Sequence, residues 1–320
     1  MRLIFMGTPE FSLPSLVGLA EAGHEIRALV TRPDRPGRHR SSRPAPSAVK
    51  REAELRGIPV LRPASIRDAA FTGRILALDA EIIIVVAFGA ILPPALLKIP
   101  ARGCVNLHAS LLPRHRGAAP IARSIMLGER RTGVTTMQMD EGLDTGGILL
   151  QEPCDIGAQE TAGELSARLA TIGAGLLLRT LDGLQAGHVT PVSQDSSRAT
   201  LAPPLRKEDG WIDWNDAAES IASLIRGCNP WPTAVARLRD GAVQLLRAGV
   251  APVGPEEEKP APPGTVVAIE REHILVQCGG RALLEVSELR FAGRRAMQAR
   301  DAVNGRLIEA GEAFAPAAAG

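Results

Sequence analysis

The chain contains no tyrosine, six phenylalanines and three tryptophans. Single-stranded nucleic acid is commonly held on stacked aromatic rings, so any RNA contact here must lean on arginine and backbone groups. Cysteine is also scarce. Cys104, Cys154, Cys228 and Cys278 lie 50 or more residues apart, and none forms a C-x-x-C pair. That spacing excludes zinc ribbons and a disulfide framework, and it predicts reduced thiols in a cytoplasmic protein. Long apolar runs are missing as well. The most apolar one, Ile82–Leu97, is interrupted by Gly89, Pro93 and Pro94, so no membrane span is expected. The opening MRLIFMGTPEF is too short for a signal peptide and reads as a first strand. Its Gly7-Thr8-Pro9 turn lacks the G-x-G-x-x-G of a dinucleotide loop, and Thr8 and Pro9 read as pocket-shaping residues. A net charge of +2 rules out a polycation.

What remains is an ordinary globular composition over 320 residues, 45% hydrophobic and 22% charged, long enough for two domains. Up to about residue 195 the pattern alternates. Strands at Leu3–Met6, Glu25–Val30, Pro59–Leu61, Ile82–Val86 and Cys104–His108 are separated by helical spacings at Phe11–Ala22, Ser47–Arg56 and Ile66–Leu78. Ile82–Val86 is the continuous apolar run of a strand buried on both faces. Such alternation predicts an α/β fold with a doubly wound, mostly parallel sheet. Strands at Thr132–Met139 and Ile148–Asp155 then flank a Gly-rich turn, and a long amphipathic helix spans Thr161–Gln185. The polar, proline-bearing stretch Ser193–Pro204 reads as a linker. Beyond it, one helix and several short strands suggest a smaller β-barrel of the oligonucleotide-binding type. The expected division is 1–206 and 207–320. Residues 1–206 hold 24 Lys/Arg and 19 Asp/Glu, and residues 207–320 hold 13 and 16.

The stretch GCVNLHASLLPRHRG, residues 103–117, carries the chemistry. Asn106 and His108 lie two apart in a strand and so share one face. His108 falls at the strand's carboxyl end, where open α/β sheets bind ligands. The turn Glu141-Gly142-Leu143-Asp144-Thr145-Gly146-Gly147 follows another strand and can bring Asp144 to the same edge. A carboxylate beside an imidazole fixes its tautomer, and an amide beside both can donate to a developing oxyanion. With no serine or cysteine nucleophile, the set suggests direct attack by a substrate group on a carbonyl. The plainer reading, that Asn106 and His108 merely satisfy buried backbone groups, fits an isolated histidine better than this cluster.

Asn106-x-His108 followed by Ser110-Leu111-Leu112-Pro113 and Gly117 resembles the signature of enzymes that move a formyl group from 10-formyltetrahydrofolate. Within that superfamily, MRLIFMGTPEF, TRPDRPGR, GCVNLHASLLPRHRGAAPI, TGVTTMQMDEGLDTGGIL, KEDGWIDW, NPWP and AGRRAM, in this order, resemble the methionyl-tRNA formyltransferase family. The resemblance implies a Rossmann-like formyltransferase domain followed by an OB-like domain that binds tRNA. It implies Asn106, His108 and Asp144 as catalytic residues, 10-formyltetrahydrofolate as co-substrate, charged initiator tRNA as partner, and no metal. It also implies that Ser110, Leu111, Leu112 and Pro113 contact the folate. The loop holding Val86, Phe88, Gly89, Ile91 and Leu92 would line the pterin pocket through backbone groups. Phe88 stands where the family usually has tyrosine, and His115 where it has an aromatic residue.

Two basic clusters suit RNA. Residues 31–51 hold seven Lys/Arg and a single acid, Asp34. Arg35, Arg38, Arg40 and Arg43 in this loop are the expected grip on phosphate. The second cluster runs through Arg290, Arg294, Arg295, Arg300 and Arg306, with Arg294 and Arg295 as RNA contacts. A charge run alone usually marks a solvated surface, and the resemblance is what favours RNA here. A monomer is expected, since tRNA needs open surface. The rivals are a superfamily member that formylates an amino sugar or a glycinamide ribonucleotide, and a folate- or RNA-binding protein without catalysis.

Overall fold

The computed structural model describes residues 1–33, 47–251 and 260–316. They divide into two compact units. The first comprises residues 1–120, 132–154 and 166–203; the second comprises 121–131, 155–165 and the chain from 204.

The first unit is built on strands β1 (Arg2–Gly7), β2 (Glu25–Val30), β3 (Val60–Leu61), β4 (Ile82–Val86), β5 (Cys104–His108), β6 (Arg131–Gln138) and β7 (Ile148–Asp155). Their order is β3-β2-β1-β4-β5-β6-β7. Strands β1 to β5 pair in parallel, and β6 turns antiparallel to β5. The chain winds outward from β1 to β3 and then crosses to β4 on the other side of β1. The β1–β4 seam is therefore the switch point, and its carboxyl edge is where such sheets leave a crevice. The connecting helices are α1 (Leu13–Glu21), α2 (Ala48–Leu55), α3 (Ala69–Ala77) and the single turn α4 (Pro94–Leu97). The helical spacing at Ile66–Leu78 yields only α3, because Asp68 caps it by accepting from the Ala70 N–H at 3.0 Å.

Every residue of β4 is buried, as its unbroken apolar run predicts. Ile83 and Val85 join Ile4, Met6, Phe71 and Ile75 in one core cluster. Next in the chain come α5 (Pro120–Met126), whose residues 121–126 belong to the second unit, and α6 (Ala162–Gln185). Helix α6 lies against β5 at Leu107, where a Cβ on Gly173 would come within 2.7 Å of the leucine side chain. Thr180 Oγ1 meets Thr136 Oγ1 at 2.8 Å on the strand beside it. Leu107 points away from Asn106 and His108, so packing α6 on that face leaves the polar pair on the other.

The second unit holds α7 (Ala218–Gly227), β8 (Ala234–Leu238), β9 (Gly241–Ala251), β10 (Val266–Ile269), β11 (Ile274–Gln277), β12 (Leu283–Phe291), β13 (Met297–Gln298), α8 (Ala299–Asn304) and β14 (Phe314–Pro316). Its antiparallel path runs β10-β11-β12-β9-β8-β14, with β13 on β12. The bridge Thr265↔Ala313 joins the two ends of that path, so the sheet curls back on itself as an OB-like barrel. Trp214 sits inside it, 2% exposed and stacked on Phe314. All four cysteines are buried and outside any disulfide, and burial pushes the Cys104, Cys228 and Cys278 thiols up to about 12.

Ser193–Pro204 departs from its linker reading. Leu201 bridges Arg116, the Gln194 side chain bonds to Asp144 and Gly146, and a 3-10 turn forms at Ser196–Arg198, so this stretch lies bonded along the first unit. Its polar side chains supply bonds where composition suggested slack.

Candidate active site

Asn106 and His108 occupy β5 side by side on one face, 9% and 6% exposed. Among the described residues, no hydrogen bond occupies the Asn106 side-chain amide. A side-chain amide without a protein partner at the carboxyl edge of a sheet is available to a ligand or to water. His108 Nε2 donates to the His115 carbonyl at 2.9 Å, leaving Nδ1 facing Asp144 Oδ2 at 3.7 Å. Both ring nitrogens thus look onto oxygen atoms. Asp144 Oδ2 also accepts from the Gly117 N–H at 2.8 Å. The strand pair and the Gly-rich turn, 36 residues apart in sequence, therefore meet at one edge as expected.

Backbone strain gathers here. Ala87, His115 and Asp144 all have positive φ, at 48°, 57° and 53°. Non-glycine residues in the left-handed region mark sites where surrounding bonds overrule local preference. Asp140 helps hold the turn, accepting from Gly142 N at 3.0 Å and Thr145 Oγ1 at 2.7 Å. A Cβ at Gly146 would lie 1.8 Å from the Gln138 carbonyl, so this position admits only glycine.

The segment Ser110–Pro113 adjoins the triplet, with most of its side chains turned inward. The Ser110 hydroxyl donates to the Arg114 carbonyl at 2.7 Å and is fully buried. Leu111 lies against Gly133 of β6, and Leu112 is 3% exposed. This leaves backbone groups and Pro113 as the surface that can meet a ligand. Thr135 and Gln151 hold the segment. Thr135 Oγ1 donates to the Ser110 carbonyl at 2.6 Å and accepts from Leu112 N at 3.2 Å, while Gln151 Nε2 donates to the Leu112 carbonyl at 2.9 Å. Sequence reasoning missed both residues. Polar side chains inside β6 and β7, facing a loop distant in sequence, were the available signal.

The loop after β4 has the same character. Val86, Phe88 and Leu92 are buried, the last two in the core cluster, whereas Gly89 and Ile91 are exposed. Phe88 therefore contributes packing, and its missing hydroxyl removes nothing from this core. The Gly89 carbonyl accepts from Arg32 Nη2 at 2.6 Å, and Thr8 Oγ1 accepts from Arg32 N at 3.2 Å. The turns after β1, β2 and β4 thus meet at the switch point.

The RNA candidates fare unevenly. Arg35, Arg38, Arg40 and Arg43 lie outside the described residues. Arg294 and Arg295 are exposed between β12 and β13. Arg300 is less available than its sequence neighbourhood suggests, since Glu272 pairs with it at 2.8 Å. Among the described residues, no group of three or more His, Cys, Asp or Glu side chains gathers around a metal position, and no helix is long and apolar enough to cross a membrane.

Two family models match the chain: "Formyl transferase" over residues 1–181 and "Formyl transferase, C-terminal domain" over 204–307. Solved structures share the fold. An N-formyltransferase from Helicobacter canadensis, in complex with folinic acid and dTDP-3-aminofucose, superposes with a TM-score of 0.65 at 15% identity, covering 89% of this chain and 98% of that one. HypX from Aquifex aeolicus, in complex with tetrahydrofolic acid, gives 0.65 at 17% identity over 97% of this chain and 48% of that one. Fold and family models together define a formyltransferase enzyme. Sequence relatives are more specific. Methionyl-tRNA formyltransferase of Moorella thermoacetica is 46% identical, covering 98% of both chains, and that of Geobacter metallireducens is 44% identical over 97% of both. The chain belongs to the methionyl-tRNA formyltransferase family.

Proposed function

We propose that this enzyme transfers the formyl group of 10-formyltetrahydrofolate to the α-amine of methionyl-initiator-tRNA, with Asn106, His108 and Asp144 as its catalytic residues. The observation that carries the reading is Asn106 beside His108 on one face of β5, with the Asp144 carboxylate facing the same imidazole. The amine nitrogen attacks the formyl carbon, the bond from that carbon to N10 breaks, the amine's proton leaves through Asp144 or a water, and the departing N10 takes up a proton in exchange. Asn106 donates to the oxygen that gains charge. His108 acts through Nδ1, because its Nε2–H is committed to the His115 carbonyl. Holding amine and formyl donor together supplies a large entropic share of the rate. The attack uses no metal.

Ser110–Pro113 and the 86–92 loop hold the folate, chiefly through backbone groups. Residues 1–206 form the catalytic domain and 207–320 the tRNA-binding domain. The loop arginines Arg35, Arg38, Arg40 and Arg43, with Arg294 and Arg295 on the barrel, contact RNA phosphates. The enzyme works as a cytoplasmic monomer. The relatives' names favour a tRNA acceptor over the amino-sugar acceptor. The test is formyl transfer to charged initiator tRNA, with His108→Ala as control. Transfer to an amino sugar but none to the tRNA would overturn the choice of acceptor.

A further inference from the structure

We propose that Gln194 is a positioning residue for Asp144, and that residues 194–202 form a strap setting the geometry of both catalytic loops. The inference rests on the reading of Asp144 as catalytic. Gln194 is half-buried in a run whose immediate neighbours are exposed. Its Nε2 donates to the Asp144 carbonyl at 2.8 Å and to the Gly146 carbonyl at 2.7 Å. Its Oε1 accepts from Arg116 Nε at 3.0 Å and Nη2 at 2.7 Å. A primary amide has two donor hydrogens and two acceptor lone pairs, so one side chain is fully committed. The guanidinium on its oxygen polarises the amide and strengthens its donation to the turn.

Arg116 is only 8% exposed and lies at the centre of the second loop. On one side of it, the His115 carbonyl receives His108 Nε2–H; on the other, Gly117 N–H reaches Asp144 Oδ2. The strap grips this loop too. His115 N donates to Thr200 Oγ1 at 2.8 Å, Arg116 N to the Thr200 carbonyl at 2.9 Å, and Ala202 N to the Arg116 carbonyl at 2.7 Å. Residues 115–117 thus touch the strap and the catalytic pair together. Asp144 has a left-handed φ of 53°, which aspartate adopts more readily than most residues, and the Gln194 bond falls on its own carbonyl and helps fix it. Without that bond the turn relaxes, and the carboxylate drifts from its 3.7 Å station beside His108.

Gln194→Glu separates positioning from mere structure. Glutamate keeps an acceptor for Arg116 and adds an ion pair, but it replaces both donors at the turn with oxygen. The readouts are kcat, KM for the formyl donor and for charged tRNA, and the melting temperature, with Asp144→Asn assayed in parallel. The expected result is a melting temperature and KM values near wild type with kcat lowered about 10- to 100-fold, the cost of a misplaced group. If Gln194→Glu does not fold, Gln194→Met decides by kcat per folded molecule. Wild-type kcat in the folded variant, or a change confined to KM, while Asp144→Asn is inactive, overturns the proposal and leaves the site reading intact. An active Asp144→Asn overturns the site reading, and the proposal with it.

Discussion

At the residue scale, the two side chains of β5 differ in what they have to spare. His108 is held by the His115 carbonyl, whereas the Asn106 amide is free of protein partners among the described residues. Asn106→Ala should therefore lower kcat about 10²- to 10³-fold, the usual cost of one oxyanion donor, with little change in KM for either substrate. Steady-state kinetics check this, and a change in KM alone would move Asn106 to a binding role. Gly117 is the second sensitive position. Its φ is 128°, and an added Cβ would sit 2.5 Å from the Ala202 carbonyl. Gly117→Ala must displace the strap, so it should cost about 1–3 kcal/mol of stability and also reduce kcat. Thermal denaturation beside a transfer assay tests both effects. That Asn106, His108 and Asp144 meet at one edge was legible, because strand alternation puts the first two on one face and a Gly-rich turn after a strand brings the third beside them. Gln194, Thr135 and Gln151 were not, since glutamine and threonine are common in loops and strands and acquire a role only from what faces them.

At the scale of elements, strand positions followed the apolar pattern closely, while helix starts were set by caps. Helix α6 begins with a reciprocal cap. Glu164 Oε2 accepts from Thr161 N at 2.8 Å, and Thr161 Oγ1 accepts from Glu164 N at 3.3 Å. The Thr161 N–H, then Arg247 and the Thr161 hydroxyl, hold the Glu164 carboxyl down to about 2, from 4.5. A lowered folded-state value means the contribution is complete above about 4.5 and is lost as pH falls toward 2. Glu164→Gln should be less stable than wild type at neutral pH, with a gap that closes through that window. Denaturant titrations at pH 7 and in acid would show it, and a gap independent of pH would refute the cap's ionic character. The strands β13 and β14, of two and three residues, were not read from the sequence because so short a span carries no periodicity.

For the whole molecule, charge placement matters more than the net +2. Glu272 pairs with Arg300, and Gln244 accepts from Arg290 Nε at 2.6 Å, so part of the second basic cluster is spent internally. Arg294 and Arg295 remain exposed. Replacing these two with glutamine should weaken tRNA affinity and reduce the slope of log K against log salt by about one for each phosphate no longer neutralised. Arg300→Gln should alter the slope less. Filter binding across a salt series distinguishes the two, and equal slopes for both variants would remove Arg294 and Arg295 from the interface.

The class of chemistry, the alternation of strand and helix and the curled antiparallel second unit were determined by the sequence itself. Apolar period and local residue type act over a few positions and can be read in one dimension. Which groups stand behind the catalytic ones was decided only by the tertiary structure. The stretch from 194 to 202 looks like slack by composition, yet its amide and carbonyl groups find partners at Arg116, Asp144 and Gly146. Polar groups that leave water on folding must be paired, and the pairing partner is chosen by proximity in space.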